Sequence, residues 1–89
     1  MNTILIQVLL YNNKEYSIFN QNLFKSSISN ILQSKFYITH RRVNKIHYID
    51  VLYSKNIDIN KDIIINIIKN VFTSITRLYI TIIERPVYN

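Results

Sequence analysis

The chain has 89 residues, which is enough for one domain with one hydrophobic core and too few for two, so we expect a single domain over residues 1–89. It has 11 Lys and Arg residues against 5 Asp and Glu residues, and this net charge of +6 points to a polyanionic partner, nucleic acid before an anionic membrane. The absence of Cys and Gly excludes disulfides, thiolate chemistry and glycine-rich phosphate loops, and a hydrophobic fraction of 48% excludes a disordered tail.

The first predicted elements are a strand and an amphipathic helix. The run from Ile4 to Tyr11 (ILIQVLLY) is almost continuously apolar, which is typical of a strand covered on both faces. It has no basic leader and no small-residue cleavage site, so we expect no signal peptide. Helical spacing of apolar residues then predicts a helix over Gln21 to Gln33, capped by Asn20 or Asn22.

The middle of the chain predicts two strands separated by a basic loop. The first strand candidate is Lys35 to Thr39, and the second is Ile46 to Tyr53. Alternation in the second strand places His47 on one face with the apolar residues Ile49, Val51 and Tyr53. Between the two strands, the polar and basic run from His40 to Lys45 (HRRVNK) is interpreted as a turn or exposed loop.

The last third predicts a helix and a closing strand. Asn60 is a good N-cap and Asp62 suits the helix dipole; the apolar residues at helical spacing are Ile64, Ile67, Ile68, Val71, Phe72 and Ile75. Alternation from Leu78 to Ile83 predicts a strand that Pro86 ends. The order β-α-β-β-α-β predicts an α+β fold of the ferredoxin-like split βαβ type, a four-stranded antiparallel sheet with both helices on one face.

The sequence shows no catalytic apparatus. The five acidic residues are Glu15, Asp50, Asp58, Asp62 and Glu84. They form no obvious pair in the sequence for acid–base chemistry. His40 and His47 have no Cys or acid cluster near them in sequence, so no metal site is predicted. Charged and polar residues interrupt the apolar segment 63–83, which argues against a membrane helix. We therefore expect no enzyme activity, no cofactor, no small-molecule substrate and no membrane partner.

The informative feature is a cluster of basic and aromatic residues between positions 35 and 56. Arg and Lys on a projecting loop suit phosphate contacts, and Tyr37, Tyr48 and Tyr53 could stack on unpaired bases. The RRM motif is not matched, because its third strand contains a glycine that residues 44–53 lack. The alternative is a solvated loop with its tyrosines in the core. The predicted RNA-binding residues are Lys35, His40, Arg41, Arg42, Lys45, His47, Ser54, Lys55 and Asn56.

The segment from Tyr48 to Asp58 resembles the universal small-subunit ribosomal protein ten family, a component of the head of the ribosome. In that family a basic stretch leads into Tyr-Thr-Val-Leu-Arg-Ser-Pro-His-Ile/Val-Asp/Asn, and YIDVLYSKNID is similar with one residue inserted. The shared positions are Tyr48, Val51, Leu52, Ser54, Ile57 and Asp58. Leu9-Leu10-Tyr11-Asn12 stands where the family has a Lys-Ser-Phe-Asp-like turn before its first helix, so the resemblance covers about residues 4 to 58.

The sequence also departs from this family. The Gly-Pro that usually starts the second strand is missing, and Tyr53-Ser54-Lys55-Asn56 replaces Arg-Ser-Pro-His. After this motif the family has a long arm, a strand, a helix and a final strand, so either the arm or the closing pair is shortened here. The clear helical pattern favours loss of the arm. Small-subunit ribosomal protein six has the same β-α-β-β-α-β order and is similar around Arg41 to Tyr53 and Ile75 to Ile82.

The resemblance implies a structural constituent of the small subunit of an organellar ribosome, which binds ribosomal RNA and neighbouring small-subunit proteins in the head. Abundant Ile, Asn, Lys and Tyr, whose codons are rich in A and T, favour an organelle-encoded protein of the mitochondrial matrix, with a plastid as the alternative. A rival function is that of a non-catalytic accessory subunit of an organellar protein complex, in which the basic loop contacts only protein. Steep salt dependence of nucleic-acid binding would separate the two.

Overall fold

Four strands and two helices make up the residues that the computed structural model describes, which are 2–12, 20–32, 35–54, 59–72 and 75–86. In chain order they are β1 (Asn2–Tyr11), α1 (Gln21–Ile31), β2 (Phe36–Val43), β3 (Ile46–Ser54), α2 (Lys61–Val71) and β4 (Arg77–Pro86). The strands form one antiparallel sheet in the order β2-β3-β1-β4, so β1 and β3 are central. The predicted ferredoxin-like β-α-β-β-α-β fold is confirmed.

The two faces of the sheet are covered differently. On one face, which we call the covered face, alternate residues of the central strands are buried against Phe24 and Ile28 of α1 and Ile64 and Ile68 of α2. The strand residues buried there are Ile4, Ile6, Val8, Leu10, His47, Ile49, Val51 and Tyr53. The helices leave the opposite face, the open face, uncovered.

Both helices begin where the sequence predicts. The side-chain oxygen of Asn20 accepts a hydrogen bond from the backbone N–H of Leu23 at 3.0 Å, and that of Asn60 accepts from Ile63 at 3.1 Å. Their ends are earlier than predicted, since α1 ends at Ile31 and α2 at Val71. Branched isoleucines lower the helix propensity of α2, so its stability depends on the burial of its apolar stripe.

The structure corrects the predicted basic loop from His40 to Lys45. The second strand continues to Val43, and only Asn44 and Lys45 form the turn. Asn44 has a φ of 56°, a left-handed conformation that Asn tolerates better than most residues. The prediction failed because charged side chains on an edge strand extend into solvent while their backbone pairs with the next strand, so polarity did not mark a loop.

The last strand is also longer than predicted, because it begins at Arg77 and its final residue is Pro86. Ile75 lies in the connection before it and packs on the core, although the sequence placed it in the helical stripe. No helix among the described residues is long and apolar enough to cross a membrane.

Candidate nucleic-acid interface

Cations gather at the turn between β2 and β3. Arg41 and Arg42 are exposed near the end of β2, and Lys45 follows in the turn. The Nε of Arg42 donates to the backbone oxygen of Asn44 at 2.9 Å, and the backbone oxygen of Lys45 accepts from the N–H of Asn12 at 2.9 Å. These bonds tie the turn to itself and to the end of β1. We call Arg41, Arg42 and Lys45 the hairpin cluster.

The structure does not bring all of the predicted RNA-binding residues to this turn. Lys35 immediately precedes β2 and Ser54 ends β3, so these exposed residues lie at the opposite end of the hairpin. At about 3.3 Å per residue, Lys35 is about 20 Å along the strand from Arg41. Lys55 and Asn56 lie outside the described residues. The predicted set is therefore at least two separate groups rather than one surface.

The two histidines form a pair that is directed toward the covered face. The Nε2 of His40 lies 2.9 Å from the Nδ1 of His47, and the ring of His47 contacts Phe72 edge-on with 5.1 Å between ring centres. His47 is only 1% exposed, so its prediction as an RNA contact is wrong. The signal was present in the sequence, since strand alternation places His47 on the same face as Ile49 and Val51.

Burial keeps this histidine pair neutral. Desolvation first, and then the charges of His40 and Arg42, together lower the pKa of His47 to about 4. Desolvation and then Arg42 also lower the pKa of His40. With both rings neutral, one ring nitrogen donates and the other accepts in the short contact. No group of three or more His, Asp or Glu side chains in the described segments is arranged to hold a metal ion.

Arg41 lies over an aromatic ring on the open face. Its guanidinium carbon is 4.9 Å from the ring centre of Tyr48, which is within the range of a cation–π interaction. The two residues are also directly paired across β2 and β3. This contact fixes an exposed cation at the border between the sheet edge and the open face, where it remains accessible to a ligand.

Two neighbouring rows of residues cross all four strands of the open face. One, the aromatic row, follows the pairing register and consists of Arg41, Tyr48, Leu9 and Tyr79. The next, the polar row, consists of Thr39, Asp50, Gln7 and Thr81. All eight residues line a shallow depression of about 640 Å³. The depression therefore sets aromatic surfaces directly beside hydrogen-bonding groups.

The tyrosines differ from their predicted roles. Tyr53 is 3% exposed and belongs to the core, so its prediction as a stacking residue is wrong. Tyr37 is 69% exposed and Tyr48 is half-buried on the open face. Sequence reasoning missed Tyr79, which is 58% exposed in the aromatic row. The predicted fold could have found it, because pairing of β4 with β1 brings alternate residues of the last strand onto the open face.

Comparison with known proteins adds support for the fold. No protein-family model matches the chain, and no curated protein matches it. A solved structure that is similar is described as "De novo designed protein Foldit4", with a TM-score of 0.54, 10% sequence identity and coverage of 98% of both chains. At this identity the similarity shows the shared fold alone, and it carries no function to this chain.

Proposed function

We propose that this protein is a non-catalytic RNA-binding constituent of an organellar small ribosomal subunit, and that the hairpin cluster holds the RNA backbone. The observation that carries the RNA part is the gathering of Arg41, Arg42 and Lys45 at one end of a paired hairpin. Residues 36–54 contain these three cations and a single acidic residue, Asp50. Such a local excess of positive charge favours phosphate contacts.

The geometry of the hairpin suits this role better than a loop would. Because Arg41 and Arg42 are adjacent in an extended strand, their side chains leave on opposite faces of the sheet. They can therefore contact phosphates on either side of the sheet edge, with Lys45 beyond them at the turn. Each guanidinium offers a planar fork for phosphate oxygens, and strand pairing holds the backbone in place before the RNA arrives.

The ribosomal part of the proposal rests on the sequence resemblance. The closing helix α2 and strand β4 are present, so a shortened protein ten would lack its long arm. It would also lack the strand that follows the arm, because α2 comes next after β3 in the described element order. The element order of small-subunit protein six needs no such loss. Both resemblances imply the same class of function.

The test is a salt series on RNA binding with two triple variants of equal charge. One variant replaces Arg41, Arg42 and Lys45 by Ala, and the control replaces three exposed helix cations, Lys25, Lys61 and Lys69. The probe is a fluorescein-labelled RNA hairpin with a single-stranded tail. The hairpin-cluster variant should bind more weakly, and the slope of log K against log salt should fall in magnitude by about two to three.

The control should keep most of the wild-type slope, since its cations lie on the helices rather than at the hairpin turn. Equal slopes for the two variants would show that only net charge matters, and the assignment to the hairpin cluster would be wrong. Absence of measurable RNA binding by the wild-type protein would instead contradict the RNA-binding function itself.

A second candidate function is that of an accessory subunit of an organellar protein complex. It is favoured by the large apolar and aromatic side chains that are exposed on the open face, Tyr37, Val43, Leu52 and Tyr79. In that case the open face would be covered by protein, and the salt series above would show weak, non-specific RNA binding in wild type and variants alike.

A further inference from the structure

We propose that the open face binds unpaired RNA bases, which stack on Tyr48 and Tyr79 and present their edges to the polar row. This inference rests on the proposed RNA-binding function and deepens it. The hairpin cluster explains attraction to phosphates, whereas the open face would give the protein a preference for single-stranded RNA and for particular bases. The inference is based on the position of the aromatic row directly beside the polar row, in one depression.

The two tyrosines are placed to stack on separate bases. Tyr48 on β3 and Tyr79 on β4 both pair with Leu9 of β1, so they lie two strand spacings apart, about 10 Å. Side chains stand roughly perpendicular to a sheet, so a planar base can lie against the exposed ring of Tyr79, or against the Tyr48 ring on the side that Arg41 does not cover. Tyr79 is 58% exposed, and the helices pack on the other face. Exposed rings on a sheet are a common platform for unpaired bases.

The distribution of charge on this face fits RNA better than it fits a second copy of the chain. Cations lie at both sheet edges, with Arg41 on β2 and Arg77 on β4, and the aromatic rings lie between them. A strand of RNA crossing the sheet would meet a cation at each edge and a ring in the middle. Two copies placed face to face would instead bring cationic rims together, and each copy has a net charge of +6.

Asp50 makes the proposed site selective among bases. It is half-buried in the polar row, between Thr39 and Gln7. A carboxylate repels phosphate, so a surface that bound only the RNA backbone would be weakened by it. The same carboxylate accepts hydrogen bonds from amino groups such as N4 of cytosine. The open face should therefore prefer bases that carry an exocyclic amino group over uracil.

The experiment compares three labelled ten-nucleotide probes with the full chain: oligocytidylate, oligouridylate and an abasic strand with the same phosphates. Wild-type protein should bind oligocytidylate most tightly and the abasic strand least tightly. Tyr79→Ala and Tyr48→Ala should each weaken oligocytidylate binding by about fivefold or more. Tyr79→Ala should leave binding of the abasic strand and the salt slope unchanged, because it removes no phosphate contact. Tyr48→Ala also removes the ring that holds Arg41, so it can weaken phosphate binding as well.

Two further variants sharpen the result. Tyr37→Ala removes a tyrosine that is more exposed than Tyr79 but lies outside the depression, and it should leave oligocytidylate binding within about twofold of wild type. Asp50→Asn should reduce the preference for oligocytidylate over oligouridylate, since an amide presents donors as well as an acceptor. Tyr48→Ala removes a half-buried ring and could fail to fold. In that case Tyr79→Ala alone is sufficient to test base stacking.

The outcomes separate this inference from the function on which it rests. If wild-type protein binds the abasic strand as tightly as oligocytidylate, base stacking is overturned while phosphate binding by the hairpin cluster stands. If no probe binds, the RNA-binding function fails and this inference fails with it. If Tyr79→Ala converts a dimer to a monomer in sedimentation without changing oligocytidylate binding, the open face joins two copies of the chain and the proposal is wrong.

Discussion

The covered and open faces of the sheet are built from the same four strands, yet they are under different constraints. On the covered face, Ile6, Ile49 and Ile68 are fully buried in one core, and their packing holds the helices in place. On the open face, Tyr37 and Tyr79 are 69% and 58% exposed. Residues of the first kind are explained by stability, whereas exposed aromatic residues gathered on one face are typical of a surface that binds a partner.

This comparison teaches where a binding function is to be sought in a small domain. The helices pack on one sheet face, so several side chains of the open face and the adjoining hairpin are exposed rather than fixed by core packing. The cations of the hairpin cluster and the rings of the aromatic row both lie there. The contrast predicts that substitutions on the covered face change stability and substitutions on the open face change binding.

The largest expected effect is on the covered face. Ile68→Ala removes a fully buried side chain from α2 and should lower the free energy of unfolding by about 2–5 kcal/mol, through lost burial and the cavity that remains. Tyr79→Ala is the matched change on the open face and should alter it by less than about 1 kcal/mol. Urea unfolding of both variants measures the difference, and equal effects would break the contrast between the faces.

The histidine pair predicts a pH-dependent stability of intermediate size. The pKa of His47 is lowered in the folded state, so the unfolded chain binds more protons and the folded state loses stability as the pH falls. The loss should begin near the ordinary pKa of 6.5, continue toward about 4, and reach at most about 3 kcal/mol.

The measurement is the urea midpoint of wild type and His47→Leu across that pH range. Leu cannot be protonated, so the variant should lack the contribution of His47 to the pH dependence between those two values and keep that of His40, whose pKa is also lowered. Carboxylates titrate in both proteins and cancel in the difference. Parallel pH profiles for the two proteins would show that His47 is not held neutral by the core.

The smallest expected effect concerns the start of α2. Asn60→Ala removes the side-chain oxygen that accepts from the N–H of Ile63, and it should cost about 1 kcal/mol. Asn66→Ala is a control on the exposed side of the same helix, where Ala should be neutral or slightly stabilising. The difference in melting temperature between the two variants measures the contribution of the Asn60 cap. Equal melting temperatures would contradict a stabilising role for that cap.

The sequence predicted the fold because the apolar pattern of each element is regular. Alternation along Ile46 to Tyr53 and the helical stripe of Ile64, Ile67 and Ile68 reflect burial directly, and burial decides the architecture. Asn20 and Asn60 marked the helix starts for a local reason, since a side-chain oxygen satisfies an otherwise free N–H.

The candidate site was predicted less well, because polarity alone does not say where a side chain points. Charge at Arg41 and Arg42 suggested a loop, although an edge strand carries such residues equally well. His47 and Tyr53 have polar atoms and yet face the core, where their rings pack with apolar neighbours. The contribution of Tyr79 became visible only through strand order, which sets β4 beside β1 and completes the aromatic row.

The most direct test of the account is sedimentation of the tagged protein, from a lysate of the cells that make it, through sucrose gradients with and without ribonuclease. The account predicts that the protein migrates with the small ribosomal subunit, that ribonuclease releases it, and that the hairpin-cluster variant is released at lower salt than the helix-cation control. A protein that migrates with a complex free of RNA, unchanged by ribonuclease, would contradict the proposed function.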